Sequence, residues 1–425
     1  MKSYREFSKA ELENELNELN KKYKEYQDIG LALNMSRGKP NVNQLVFSMP
    51  MMDILKEDDD YIAADGVDVR NYGDLIGIPE ARKLFADFLG IKPEETIVLG
   101  NASLNIMYDC MARAMLKGVL GSDKPWSKYD KVKWICPVPG YDRHFTICEF
   151  LGIEMIPVKL SDYGPDMDAV EELVKNESVK GIWCVPKYTN PYGGCYSDEA
   201  VKRLASMKCA AKDFRIFWDN AYAHHYIYKD VPVLNILDEC KKAGNPNRCY
   251  LFGSTSKITF PGAGVAFFGA SEENIEFTKK QLNAQTISCD KINMLRHVRF
   301  LKDMDGIKAI MDKHAEALRP KFDAVLNALD TELSGRDAGT WVKPEGGYFV
   351  TFIGNKNTAK RIYELCKGAG VTLTEPGCTH PYHNDPDDAF LRLAPSFPSP
   401  EELSKAMEIF TLSAKIATVE NLLKA

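Results

Sequence analysis

Cys249-Tyr-Leu-Phe252 is a short apolar run, followed directly by Gly253-Ser-Thr-Ser-Lys257 and then Ile258-Thr-Phe-Pro-Gly-Ala-Gly264. A run apolar on both faces reads as a strand inside a parallel sheet covered on both sides. Open α/β sheets bind ligands outside the carboxyl ends of their strands, so chemistry is expected just after Phe252. What stands there is one lysine among hydroxyls. A lysine that attacks a carbonyl must be partly desolvated, or near another cation, so that its amine is neutral. Ser254 and Ser256 could bind phosphate oxygens. Alone, the stretch also fits an exposed loop lysine. A nucleotide-phosphate loop is a weaker alternative, because G-x-x-x-x-G-K-[ST] is absent from it.

The same pattern extends on both sides. Thr96–Leu99, Val132–Cys136, Gly181–Val185, Phe214–Trp218 and Gly264–Phe268 are further short apolar runs, separated by helical stretches such as Ser197–Lys208. Together they predict an α/β fold with a mostly parallel sheet under helices. Residues 301–330 read as one long helix, Trp341–Phe352 with Gly346-Gly347 as a strand after a turn, and Ser399–Lys424 as a closing helix. At the start, Ser8 and Glu11 form a capping box, Leu12, Leu16, Leu19, Tyr23 and Tyr26 make one apolar stripe, and Gly30 stops the helix. The expected organisation is an N-terminal helix and arm (1–50) joining the small domain, a large domain (51–300), and a small C-terminal α+β domain (301–425).

Composition narrows the function. A chain of 425 residues is too long for one compact core. A net charge of −6 lacks the basic excess of a nucleic-acid surface, so no nucleic-acid partner is expected. The eleven cysteines include no C-x-x-C pair, which points to reduced thiols and to no metal site. No run approaches the ~18 apolar residues of a membrane span. The opening residues contain no signal-peptide stretch. A cytoplasmic protein with no membrane partner is the expectation.

Other strand ends carry further candidates. After Phe214-Arg-Ile-Phe-Trp218 come Asp219, Asn220, Ala221 and Tyr222. A carboxylate there could pair with a buried cation, or merely cap a helix. After Ile182-Trp-Cys-Val-Pro186 comes Lys187-Tyr-Thr-Asn190-Pro191-Tyr-Gly-Gly194, a tight turn whose asparagine could donate to a ligand oxygen. Gly100-Asn-Ala-Ser103, with Asn101 inside it, precedes a helix whose free amides attract phosphate. Tyr141, in Pro137-Val-Pro-Gly-Tyr141, could stack on a flat ligand or simply pack.

In this order, and joined by Arg392, these residues resemble the fold-type I pyridoxal-phosphate enzymes, specifically the class I aminotransferases. The resemblance runs from about Leu33 to the end. It implies a large domain with a mostly parallel seven-stranded sheet and a smaller α+β domain. It implies pyridoxal 5′-phosphate as cofactor, held as a Schiff base on Lys257, with Asp219 facing the pyridine nitrogen and Tyr141 stacked on the ring. Asn190 and Tyr222 would bond the ring oxygen. Asn101, Ala102, Ser103, Ser254 and Ser256 would hold the phosphate. Tyr72, in Arg70-Asn-Tyr-Gly73, resembles the tyrosine that reaches the neighbouring subunit's phosphate, which implies a homodimer. Arg392 would clamp the substrate α-carboxylate in a bidentate fork, with Gly38 and Arg37 nearby. One departure stands out: many relatives carry a phosphate-binding arginine where this chain has Gly264 and Val265. That replacement, with the Ser36-Arg-Gly-Lys-Pro40 and Pro186–Pro191 segments, resembles the bacterial aspartate aminotransferase subgroup Ic. The implied reaction is ping-pong transfer of an amino group between an amino acid, L-aspartate by subgroup, and 2-oxoglutarate. A second cation for a side-chain carboxylate is not marked in the sequence; Arg37, Lys39, Arg143, His144 and Lys187 are the candidates by position, with His144 the more structural. Two alternatives keep the fold: a pyridoxal-phosphate lyase acting at the β-carbon, and a non-catalytic cofactor or amino-acid sensor.

Overall fold

The computed structural model describes residues 2–424. Seven strands form the large sheet: β1 (Thr96–Val98), β2 (Lys133–Val138), β3 (Glu154–Ser161), β4 (Val179–Cys184), β5 (Arg215–Asp219), β6 (Cys249–Ser254) and β7 (Ala266–Gly269). Their order across the sheet is β1-β7-β6-β5-β4-β2-β3, with the two-residue strand Gly164–Pro165 added at the outer edge. Strands β2 to β6 run parallel, and β7 is antiparallel to both its neighbours. Every residue of β4 and β5 is buried, which is why each reads as a mainly apolar run, with Lys180 and Arg215 the buried charges inside them.

Strand β3 is the one the apolar-run reading passes over. It lies at the margin, its burial alternates along its length, and Pro157 interrupts it. An edge strand tolerates both exposed charges and a proline without an N–H.

A second antiparallel sheet joins Thr340–Trp341, Val350–Ile353 and Phe390–Leu393. The expected single strand over Trp341–Phe352 is therefore two strands with a loop between. The loop forms because Gly346 and Gly347 press against another segment: the Gly347 N–H donates to the His225 carbonyl at 2.7 Å, and Gly346 bridges to Tyr226. A Cβ on Gly346 would fall onto the His225 carbonyl. The N-terminal helix Lys9–Ile29 has the Ser8–Glu11 capping box and ends at Gly30 with φ 68°. It packs on the closing helix Pro400–Lys424, and Leu33–Asn34 pairs with Val371–Thr372.

Two large apolar cores flank one seam. One lies under the sheet, and the other gathers Leu12 and Leu19 with residues between Leu318 and Val419. The long helix Met304–Leu333 serves both: Ile307 and Met311 belong to the first core, Phe322 and Leu329 to the second. All eleven cysteines are free. Among the described residues, no helix is long and apolar enough to cross a membrane.

Candidate active site

Strands β4, β5 and β6 are neighbours and parallel, so their carboxyl ends open on the same side. The segments that follow them carry Asn190, Asp219 with Tyr222, and Lys257. Strand β2, beside β4, leads to Tyr141 at the start of the helix Asp142–Phe150. A cavity of about 540 Å³ lies at this edge, lined by Arg37, Gly38, Tyr141, Asn190, Asp219, Tyr222, Lys257 and Arg392, among others.

Asp219 is 2% exposed. One oxygen, Oδ2, accepts from His144 Nε2 at 3.1 Å, and the His144 ring stacks on Trp183 at 4.3 Å. The other oxygen, Oδ1, is buried with no protein partner. An ionised carboxylate left that way costs stability unless a ligand completes it. His144, a candidate for a substrate carboxylate, is committed here to orienting Asp219 instead.

The Lys257 Nζ lies 4.8 Å from the centre of the Tyr222 ring. Burial lowers the proton affinity of its amine below the ordinary lysine range, while the Asp219 carboxylate opposes the shift. Desolvation pushes the Tyr141 hydroxyl up to about 12.

Arg392 is 9% exposed. Its Nε and Nη2 donate to Thr374 Oγ1 at 3.4 and 3.3 Å, and its Nη1 donates to Asn190 Oδ1 at 3.4 Å. Asp142 Oδ1 stands 3.5 Å from Nη1, and the Phe349 ring lies 4.7 Å from the guanidinium carbon. Gly38 is where the chain must be bare, because a Cβ there would enter the Phe349 ring.

The phosphate candidates gather beside this cavity and do not line it. Ala102 caps the helix Ser103–Lys117 without a side-chain bond, so first-turn amides remain available. Ser254 Oγ donates to Ser256 Oγ at 3.1 Å, and Ser256 Oγ reaches the Asn101 carbonyl at 3.5 Å. Val265 is 1% exposed with its N–H bonded to Thr255 Oγ1, so its side chain is part of the core. Tyr72 is 77% exposed and outside the cavity. Of the candidates for a second cation, Lys187 pairs with Asp230 and Lys39 stacks on Phe397. Arg37 and Arg143 line the cavity. Sequence reasoning missed Thr374, Glu375, Phe349 and Asp142 as cavity residues. Only the adjacency of Asp142 to Tyr141 offered a signal.

This sheet, with a strand-end lysine facing a buried aspartate and an arginine fork, is the architecture of fold-type I aminotransferases. A family model described as aspartate amino-transferase matches residues 7–425. The sequence is 45% identical over 405 residues to an aspartate aminotransferase of Corynebacterium glutamicum, covering 95% of this chain and 94% of that one. The crystal structure of an aspartate transaminase from Corynebacterium glutamicum matches with a TM-score of 0.96 at 44% identity over 99% of both chains. An alpha-aminoadipate aminotransferase from Thermus thermophilus, solved with N-(5′-phosphopyridoxyl)-L-leucine, shares the fold at a TM-score of 0.74 and 21% identity, over 92% of this chain and 93% of its own. The chain belongs to the aspartate amino-transferase family and is an aminotransferase.

The family implies pyridoxal 5′-phosphate, and the residues present fit it. The unpartnered Oδ1 of Asp219 suits a protonated ring nitrogen, and the buried amine of Lys257 suits an aldehyde.

Proposed function

We propose that this enzyme exchanges the amino group of L-aspartate with 2-oxoglutarate, using pyridoxal 5′-phosphate held covalently through Lys257. The observation that carries the reading is the convergence of Lys257, the half-satisfied Asp219 and the Arg392 fork on one cavity. The cofactor, when bound, supplies an electron sink for the charge that develops at the substrate α-carbon. Asp219 keeps that sink cationic, with His144 fixing the carboxylate's orientation. Tyr141 would cover the ring, and Asn190 and Tyr222 would bond its oxygen. Ser254, Ser256 and the amides of Asn101, Ala102 and Ser103 hold the phosphate in place of the absent arginine. Arg392 takes the α-carboxylate, displacing Asp142 from its fork. Lys257 Nζ, freed when the substrate's amine takes its place on the cofactor, would then remove the α-proton, general-base work that contributes roughly 10²–10⁴-fold. The opposite carboxylate of a dicarboxylic substrate meets Arg37 and Arg143, the exposed guanidiniums of the cavity rim. Tyr72 reaches the site of a second copy, making the enzyme a homodimer. Residues 1–50 and 301–425 act as one lobe over the large domain 51–300, and the free thiols suit the cytoplasm.

A β-carbon lyase would use the same Lys257 and Asp219; membership of the aminotransferase family favours transamination. The test mixes protein, cofactor, aspartate and 2-oxoglutarate and measures oxaloacetate and glutamate. Equal amounts of both are expected, with Lys257→Ala inactive and aspartate preferred over alanine. Loss of the aspartate preference in Arg37→Gln or Arg143→Gln identifies the second cation. Formation of alanine and CO2 from aspartate, without glutamate, would mean the lyase.

A further inference from the structure

Three of the chain's seven histidines converge on the four-residue turn Ser256–Thr259 that carries Lys257, and each comes from a different element. His314, on the long helix Met304–Leu333, places Nε2 2.9 Å from the carbonyl oxygen of Ile258. A carbonyl only accepts, so Nε2 bears the hydrogen and Nδ1 is left to accept from Gln44 Nε2 at 3.0 Å. His297, on the helix Lys291–Leu301, donates from Nδ1 to the Asn293 carbonyl at 2.8 Å. Its Nε2 accepts from the Thr259 hydroxyl at 2.9 Å. His225 follows β5; its ring packs edge-on to Tyr222 at 5.8 Å and lies beside the Lys257 backbone. Neither of its ring nitrogens has a partner at bonding geometry. The three side chains are 2%, 0% and 1% exposed for His225, His297 and His314.

For packing alone, apolar side chains would fill the same volume, and would do so at His225 without leaving buried polar atoms unsatisfied. The bonding pattern of His314 uses one donor and one acceptor nitrogen, which only the uncharged ring supplies. Desolvation agrees, holding His297 at about 4 and lowering His225 and His314 as well. Around His225, burial and the charges of Lys257, His314 and His224 all disfavour its cation, and only the Lys257 backbone opposes them.

We infer that His297 and His314 are positioning residues, an uncharged imidazole cradle that fixes the Lys257 turn through Ile258 and Thr259, with the His225 ring packed beside it, while leaving the amine free to swing. Lys257 must reach both a cofactor carbon and a substrate carbon from one anchored Cα. Cationic side chains in the same places would add repulsion beside its amine. The inference rests on Lys257 being the covalent lysine.

The test follows covalent attachment of pyridoxal 5′-phosphate to the apoprotein. Borohydride fixes the adduct, mass spectrometry locates it, and circular dichroism reports folding. His314→Leu is expected to slow attachment at Lys257 and to lower kcat by about tenfold or more with KM for aspartate little changed, since a misplaced reacting group costs on the order of 10²-fold. His314→Gln, which keeps a donor toward Ile258, is expected to recover most of the rate. His297→Leu removes the ring that bonds the Thr259 hydroxyl and is expected to slow attachment too. Wild-type rates in folded His314→Leu and His297→Leu would overturn the cradle. So would failure of both to fold, which would assign the histidines to stability alone. A wild-type adduct anywhere other than Lys257 would instead overturn the function proposed above, and the cradle with it.

Discussion

At the scale of single residues, Asp219 and Arg392 line one cavity, and the roles proposed for them can be tested separately. Asp219→Asn keeps the shape of the side chain and removes its charge. It is expected to lower kcat by roughly 10²–10³-fold, the effect of losing one preorganised electrostatic partner. Steady-state rates at saturating cofactor measure it. Arg392→Lys keeps the charge and loses the fork that Thr374 and Asn190 hold. Its kcat/KM for aspartate is expected to fall about 10–100-fold, because charge-assisted bonds contribute roughly 1.5–3 kcal/mol each. Both residues were legible beforehand, Asp219 because it ends an apolar run and Arg392 through the resemblance. Thr374, Phe349 and Asp142 were not, since their value lies in touching Arg392 from distant parts of the chain.

At the scale of elements, the helix Lys291–Leu301 ties solution pH to the lysine turn. His297 has an ordinary value of 6.5 and is held at about 4 in the folded protein by burial, with Arg296 lowering it and Asp290 and the Asn293 carbonyl opposing. Between those values the unfolded chain binds a proton that the folded chain refuses. Stability is therefore full above about 6.5 and declines as pH falls toward 4, by up to about 1.4 kcal/mol per unit. Urea unfolding of the apoprotein across that range is expected to show the decline, and His297→Gln to make it shallower by about one proton. The fully buried strands β4 and β5 were readable as apolar runs. Edge strand β3 and the loop before Val350 were not: the first alternates, and the second is shaped by what Gly346 and Gly347 touch.

The whole molecule sets its cavity along the seam between two apolar cores, with Tyr222 and Phe349 in one and Trp218 and Ile258 in the other. Outside that seam, Tyr72 presents a largely exposed ring. If it serves a second copy's phosphate, the protein sediments as a dimer. Tyr72→Phe is then expected to weaken cofactor binding about 2–10-fold, the worth of one hydrogen bond. A monomer with undiminished cofactor affinity would refute that role. By itself the sequence determined the buried strands of the sheet and the residues at their ends, because burial on both faces and strand-end polarity are local properties of consecutive residues. Only the tertiary structure decided that His144 serves Asp219, that Thr374 and Phe349 hold Arg392, and that three histidines meet beneath Lys257. Those contacts join residues far apart in the chain, and no local pattern encodes the distance between them.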